Sequence, residues 1–177
     1  MKRHALLAIA GAAALLLVLG ETALAAQDRY TVKIPDGLSF SEIRGYETWQ
    51  YVAVSQVEGG LKIIAGNPAM LSAYRSHAPG QHKAFPDGSK VVKIEWSQVK
   101  NPASPYFAMI PDKLMSVSFI EKDSKKFPKS HGWAYAQFLY DPATATFKPG
   151  VKGVDCGNAC HTAVAGNDYI FTAYPLR

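Results

Sequence analysis

Gly132-Trp133-Ala134-Tyr135-Ala136-Gln137-Phe138-Leu139-Tyr140 is the stretch on which the fold class turns. Aromatic residues dominate it, and a period of two sets Trp133, Tyr135 and Gln137 against Ala134, Ala136 and Phe138, which is the pattern of a strand with two distinct faces. Asp141-Pro142 ends it, since proline cannot donate to a sheet ladder.

The same logic extends upstream. Phe85-Pro86-Asp87-Gly88 is turn chemistry, and Ser89-Lys90-Val91-Val92-Lys93-Ile94-Glu95-Trp96 leaves it as a strand. Val91, Lys93 and Glu95 share one face; Lys90, Val92, Ile94 and Trp96 share the other. Charges on both faces predict a strand that is not buried on both. Tyr106 to Ile110 and Met115 to Ile120 read as two strands parted by Pro111-Asp112-Lys113, and the run from Gly45 to Val54 as another. Pro68 opens a helix through Arg75 with Asn67 as its cap, and His77-Ala78-Pro79-Gly80 ends it. A second helix is expected around residues 36–44. Strands joined by short connections, with few helices, predict an α+β domain built on a predominantly antiparallel β-sheet. The apolar tail Asp168-Tyr169-Ile170-Phe171-Thr172-Ala173-Tyr174 is expected to dock on the body.

At the other end, Lys2, Arg3 and His4 precede an apolar run from Ala5 to Gly20, and Ala23-Leu24-Ala25 follows. This is the pattern of a cleavable secretory signal peptide over residues 1–25, which predicts a periplasmic protein. The remainder, residues 26–177, is of single-domain size. Without Lys2, Arg3 and Glu21 the formal charge falls from +5 to about +4, with 17 basic against 13 acidic residues. The basic residues are scattered. Their one cluster, Lys122, Lys125, Lys126 and Lys129, is interspersed with Glu121 and Asp123 and reads as a solvated face. Nothing in this pattern points to nucleic acid.

Both cysteines fall in Asp155-Cys156-Gly157-Asn158-Ala159-Cys160-His161. Haem attachment uses two thiols for the vinyl groups and a histidine that meets the iron, hence Cys-x-x-Cys-His. Cys160-His161 fits this pattern, whereas Cys156 lies one residue further upstream than the usual spacing. Gly157 and Asn158 tolerate unusual backbone angles, so a one-residue bulge is expected to absorb the difference; otherwise Cys160 carries a single thioether. His161 is then the natural proximal ligand. Other readings of the pair are a small disulfide, which suits an oxidising compartment, a copper site with a distant histidine, and an unligated core histidine. His77, His82 and His131 read as loop residues, and Met70, Met109 and Met115 as core filler rather than a sixth ligand.

Phe85-Pro86-Asp87-Gly88-Ser89-Lys90-Val91-Val92-Lys93, Lys122-Asp123-Ser124-Lys125-Lys126-Phe127, Gly132-Trp133-Ala134-Tyr135, and Cys160-His161 ahead of Asp168-Tyr169-Ile170-Phe171-Thr172 together resemble the cytochrome P-460 family, from about Tyr46 to Arg177. The resemblance implies an antiparallel β fold with flanking helices, usually a homodimer. It also implies one covalently attached haem c per chain near the C-terminus, five-coordinate and open on its distal face. Members that oxidise hydroxylamine add a lysine link to the porphyrin, which maps to Lys93 here, with Lys90 as the other candidate; the related cytochromes c′-beta bind nitric oxide without it. The ligand implied is hydroxylamine or a small nitrogen oxide, and the redox partner is another cytochrome or acceptor. The distal carboxylate of catalytic members has no clear counterpart: Glu95 and Glu121 qualify by charge, and each reads as surface. A third reading, an electron carrier with methionine as sixth ligand, has no recognisable ligand context.

Overall fold

A computed structural model describes residues 26–35, 37–76, 83–150 and 154–175. The signal-peptide reading, His77, His82 and the helix-ending Pro79-Gly80 lie outside the described residues. Among the described residues no helix is long and apolar enough to cross a membrane.

Among the described residues six strands form one antiparallel sheet in chain order: β1 (Gln50–Val57), β2 (Gly60–Gly66), β3 (Lys90–Lys100), β4 (Met109–Lys122), β5 (Trp133–Asp141) and β6 (Thr146–Pro149). Helix α1 (Pro68–Ser76) connects β2 to β3, and α2 (Val154–His161) follows β6. The α+β, mostly antiparallel architecture expected from the sequence is therefore the one observed. Asn67 caps α1 by accepting from the Met70 N–H at 3.0 Å, accepts from Lys90 N at 3.0 Å, and donates to the Gly88 carbonyl at 2.8 Å. One side chain thus joins the start of a helix to the start of β3 and its turn.

The alternation in β5 sorts the core into two layers. Ala134, Ala136 and Phe138 face Val92, Val117 and Phe119 and the N-terminal segment carrying Leu38, Phe40 and Ile43. Trp133 and Tyr135 face the opposite layer with Val91, Met70, Leu71, Phe85 and Ile170. Burying aliphatic and aromatic side chains on both faces is the main stabilising contribution, about 1.5–3 kcal/mol for each fully buried large side chain.

Two local expectations change and one holds: β3 is half-buried or exposed over most of its length, and only its opening is buried on both faces, Val91 being 7 % exposed and Val92 0 %. The charge between them and the turn is accommodated because Lys90 pairs with Glu121 at 3.2 Å and donates to the Glu42 carbonyl at 2.9 Å. The two strands predicted around Pro111 are one long strand, with Tyr106 and Phe107 in an exposed loop before it. Pro111 is tolerated because this half of β4 pairs with β3 alone and its register is irregular there. The helix expected at residues 36–44 is only a 3-10 turn, Phe40–Ile43, capped by Ser39, and Tyr46–Thr48 forms another such turn before β1 begins. The tail docks as predicted: Ile170 is buried, the Tyr74 hydroxyl donates to the Thr172 carbonyl at 2.9 Å, and Tyr74 stacks on Tyr174.

Candidate functional site

Helix α2 carries both cysteines and His161, so the bulge expected at Gly157-Asn158 is replaced by regular helix. No left-handed angle occurs at either residue. Gly157 is needed for a different reason: a Cβ there would collide with the Cβ and ring of Tyr135, so the missing side chain lets α2 lie directly on β5. On a helix, residues four apart stack on one face. Cys156 and Cys160 are so spaced, both are free thiols, and Cys160 is exposed while Cys156 is partly buried.

His161 ends the helix with its ring between Tyr135, at 4.7 Å, and Phe171, at 4.9 Å. Its Nδ1 lies 2.6 Å from the Tyr169 carbonyl oxygen. A carbonyl only accepts, so Nδ1 carries the proton and the neutral ring keeps its lone pair on Nε2. Burial, helped by the charge of Lys93, holds the imidazole below its ordinary pKa against the opposing pull of the Tyr169 carbonyl. A neutral ring with one nitrogen engaged by a backbone carbonyl is the arrangement a metal-ligating histidine takes.

The Tyr169 carbonyl is itself held by unusual backbone. Asp168 and Tyr169 both have left-handed angles, φ 45° and 64°, a conformation that costs a residue with a side chain about 1–2 kcal/mol. The anchor is a buried ion pair between Lys122 Nζ and Asp168 at 2.8 Å. Lys122, expected on a solvated face, is only 6 % exposed; its partner, 46 residues away in the chain, is invisible to local pattern. His131 is exposed as expected, yet its ring stacks on Tyr169 at 4.5 Å.

His161 and Lys93 line a single cavity of about 450 Å³ between the sheet and the C-terminal tail. Strand register explains its character. The row Val91, Ile120 and Tyr135, whose β5 member packs under α2, is aliphatic and aromatic. The next row along the strands is Ile64, Lys93 and Ser118, and the next is Lys62, Glu95 and Ser116. Polarity therefore rises from the histidine toward the far end. Glu95 is not a surface group: it lies 3.3 Å from Lys62 Nζ and 4.0 Å from Lys93 Nζ, and accepts from the Ser116 hydroxyl at 3.4 Å. Burial first, and then the Lys62 charge, pull the Lys93 ammonium below its ordinary pKa, with Glu95 opposing. Alternation in β3 already put Lys93 and Glu95 on one face; Lys62 required the register between β2 and β3.

Lys90 and Glu121 belong to the other face and pair with each other, so the reading of Glu121 as surface also gives way to a buried position. Met70 is a buried core residue of α1, Met115 is exposed, and neither they nor Met109 are among the described residues lining the cavity.

These residues fit a haem. A cavity of this volume lies in the range of cofactor sites, its lining is apolar at Val91, Ile120 and Ile170 and charged at Lys93 and Lys62, and His161, one residue after a thiol, lines it with Nδ1 already engaged by a carbonyl. Among the described residues no three of His, Cys, Asp and Glu cluster as a metal site. A family model described as cytochrome P-460 matches residues 43–172, spanning the whole sheet, α2 and most of the tail. A search of curated proteins finds no match.

Proposed function

The chain belongs to the cytochrome P-460 family, and on that premise we propose that it is a periplasmic mono-haem c-type cytochrome that takes hydroxylamine or a small nitrogen oxide at a five-coordinate haem. The family implies a haem cofactor. In this reading one haem c is tethered through Cys160, with Cys156 one helical turn away as the second attachment point, and His161 is the proximal ligand. Bound there, the haem supplies an iron that binds a small ligand and exchanges electrons with an external acceptor. The observation that carries the reading is that His161 of α2 and Lys93 of β3 line the same cavity.

The chain's own residues then have distinct tasks. Tyr169 fixes the histidine tautomer. Tyr135, Phe171 and the docked tail shield the imidazole. Lys93, with its ammonium destabilised by burial, offers an amine of raised nucleophilicity for a link to the porphyrin. Glu95, paired with Lys62 and near Lys93 and accepting a hydrogen bond from Ser116, stands behind the two lysines that line the cavity and can exchange a proton with them. Hydroxylamine oxidation is the first reading on these grounds. Nitric oxide binding without turnover is the second, favoured by the apolar Ala53, Val54 and Ile64 on the cavity wall.

Hydroxylamine turnover with an artificial acceptor, measured beside the spectrum of the reduced protein, tests the proposal. We expect turnover and a Soret band displaced strongly to the red, which Lys93→Ala converts to an ordinary c-type band. No turnover beside tight nitric oxide binding and an ordinary wild-type band would establish the second reading.

A further inference from the structure

We infer that Asp168 is a positioning residue for His161: anchored on Lys122, the Phe85 N–H and Trp133, it fixes the turn whose Tyr169 carbonyl holds Nδ1 and so aims Nε2 into the cavity. The inference rests on the haem reading and adds to it a device for orienting the axial ligand.

Asp168 is saturated with donors. Its Oδ1 and Oδ2 accept from Lys122 Nζ at 2.8 and 3.0 Å, Oδ2 from the Phe85 N–H at 2.7 Å, and Oδ1 from the Trp133 indole at 3.4 Å. These donors come from β4, the segment before β3, and β5, so the carboxylate ties the tail to three separated parts of the chain. The same lysine reaches the His131 carbonyl at 3.3 Å, and the His131 ring stacks on Tyr169 with an interplanar angle of 11°. Tyr169 is thereby fixed from two sides by groups that converge on one buried cation. Its N–H closes the turn onto the Val164 carbonyl, three residues after His161.

Stability is a weak reason for such an arrangement, because buried ion pairs can often be exchanged for apolar residues without loss. A position that must be held to a fraction of an ångström is a better one. The acceptor on the far nitrogen sets the rotation and basicity of a ligating imidazole, and here that acceptor sits on backbone that would not adopt its angles unaided.

The test uses the mature haem-loaded protein, read by the iron–histidine stretching band of its ferrous form and by its midpoint potential. Lys122→Met with Asp168→Gly removes every side-chain anchor of residue 168 while glycine keeps the left-handed backbone. We expect the band to move to lower frequency and broaden, and the potential to rise. Lys122→Met with Asp168→Asn retains an acceptor for the Phe85 N–H, and asparagine tolerates the same backbone angles, so the band should return toward the wild-type position. If the glycine variant does not accumulate, His131→Ala, at an exposed position, releases Tyr169 from one side and should give a smaller downshift. An unmoved band and potential in the variants that load haem would overturn the inference. A wild-type protein carrying no haem would instead remove the functional reading beneath it, so the two failures are distinguishable.

Discussion

Tyr46 shows how much of this protein's chemistry is set by burial. Its phenol, nearly inaccessible under the N-terminal layer, is pushed up to about 12 by burial, with Glu47 and Tyr30 reinforcing and Arg29 opposing. Tyr74 and Tyr135 are raised further for the same leading reason. The sign follows directly. Between pH 10 and 12 the unfolded chain has released a Tyr46 proton that the folded chain keeps, so stability is full below pH 10 and falls as pH rises, by about 1.4 kcal/mol per pH unit. Tyr46→Phe should make that fall shallower by this amount in urea titrations across pH 9 to 12; a fall parallel to the wild type would assign the alkaline loss to other groups. Tyr46 is equally a lesson in what single residues reveal. Nothing local distinguishes it from Tyr106, which is likewise a tyrosine in a predicted strand yet stands exposed in a loop. Lys122 misleads in the opposite direction, since a lysine among lysines reads as solvated until Asp168 is brought to it by the fold.

Individual elements were legible where period and cap agreed. β5 could be read residue by residue, because its alternation between aromatic and small side chains matches two different packing layers, and α1 because Asn67-Pro68 is a start signal with one interpretation. β2 and β6 were not legible: Leu61-Lys62-Ile63-Ile64 between glycines lacks alternation, and Thr146–Pro149 is too short to show any. Helix α2 is hidden for a clearer physical reason. Cysteine, glycine, asparagine and histidine are poor helix formers, so the eight residues Val154–His161 are helical through packing on β5 rather than by propensity. Gly157 is the point of contact. Gly157→Ala should favour the isolated helix yet destabilise the protein by about 1–3 kcal/mol through overpacking against Tyr135, and the mature protein should carry less haem. Chemical denaturation together with the haem-to-protein absorbance ratio would check both; unchanged stability would mean that α2 can lift from β5 freely.

At the scale of the whole molecule, the sheet divides labour between its faces. The N-terminal layer covers one side with aromatic packing and neutralises Lys90 with Glu42 and Glu121. The other side holds the cavity, where rows of residues across three strands change from apolar beneath the imidazole to charged at Lys62 and Glu95. The Cys160-His161 pair and the Lys93 face were legible because each rests on adjacency or a period of two. The cavity, the pinning of Tyr169 and the place of Glu95 depend on strand register and on contacts between distant segments, which no local pattern encodes. All of it converges on a porphyrin fastened to α2. Mass spectrometry of the mature protein, made with its haem-attachment machinery and then denatured, tests this most directly. The account predicts the polypeptide mass plus one haem, with the added mass mapping to the peptide that contains Cys156, Cys160 and His161. A bare polypeptide, or one lighter by two hydrogens from a bond between the two sulfurs, would contradict it.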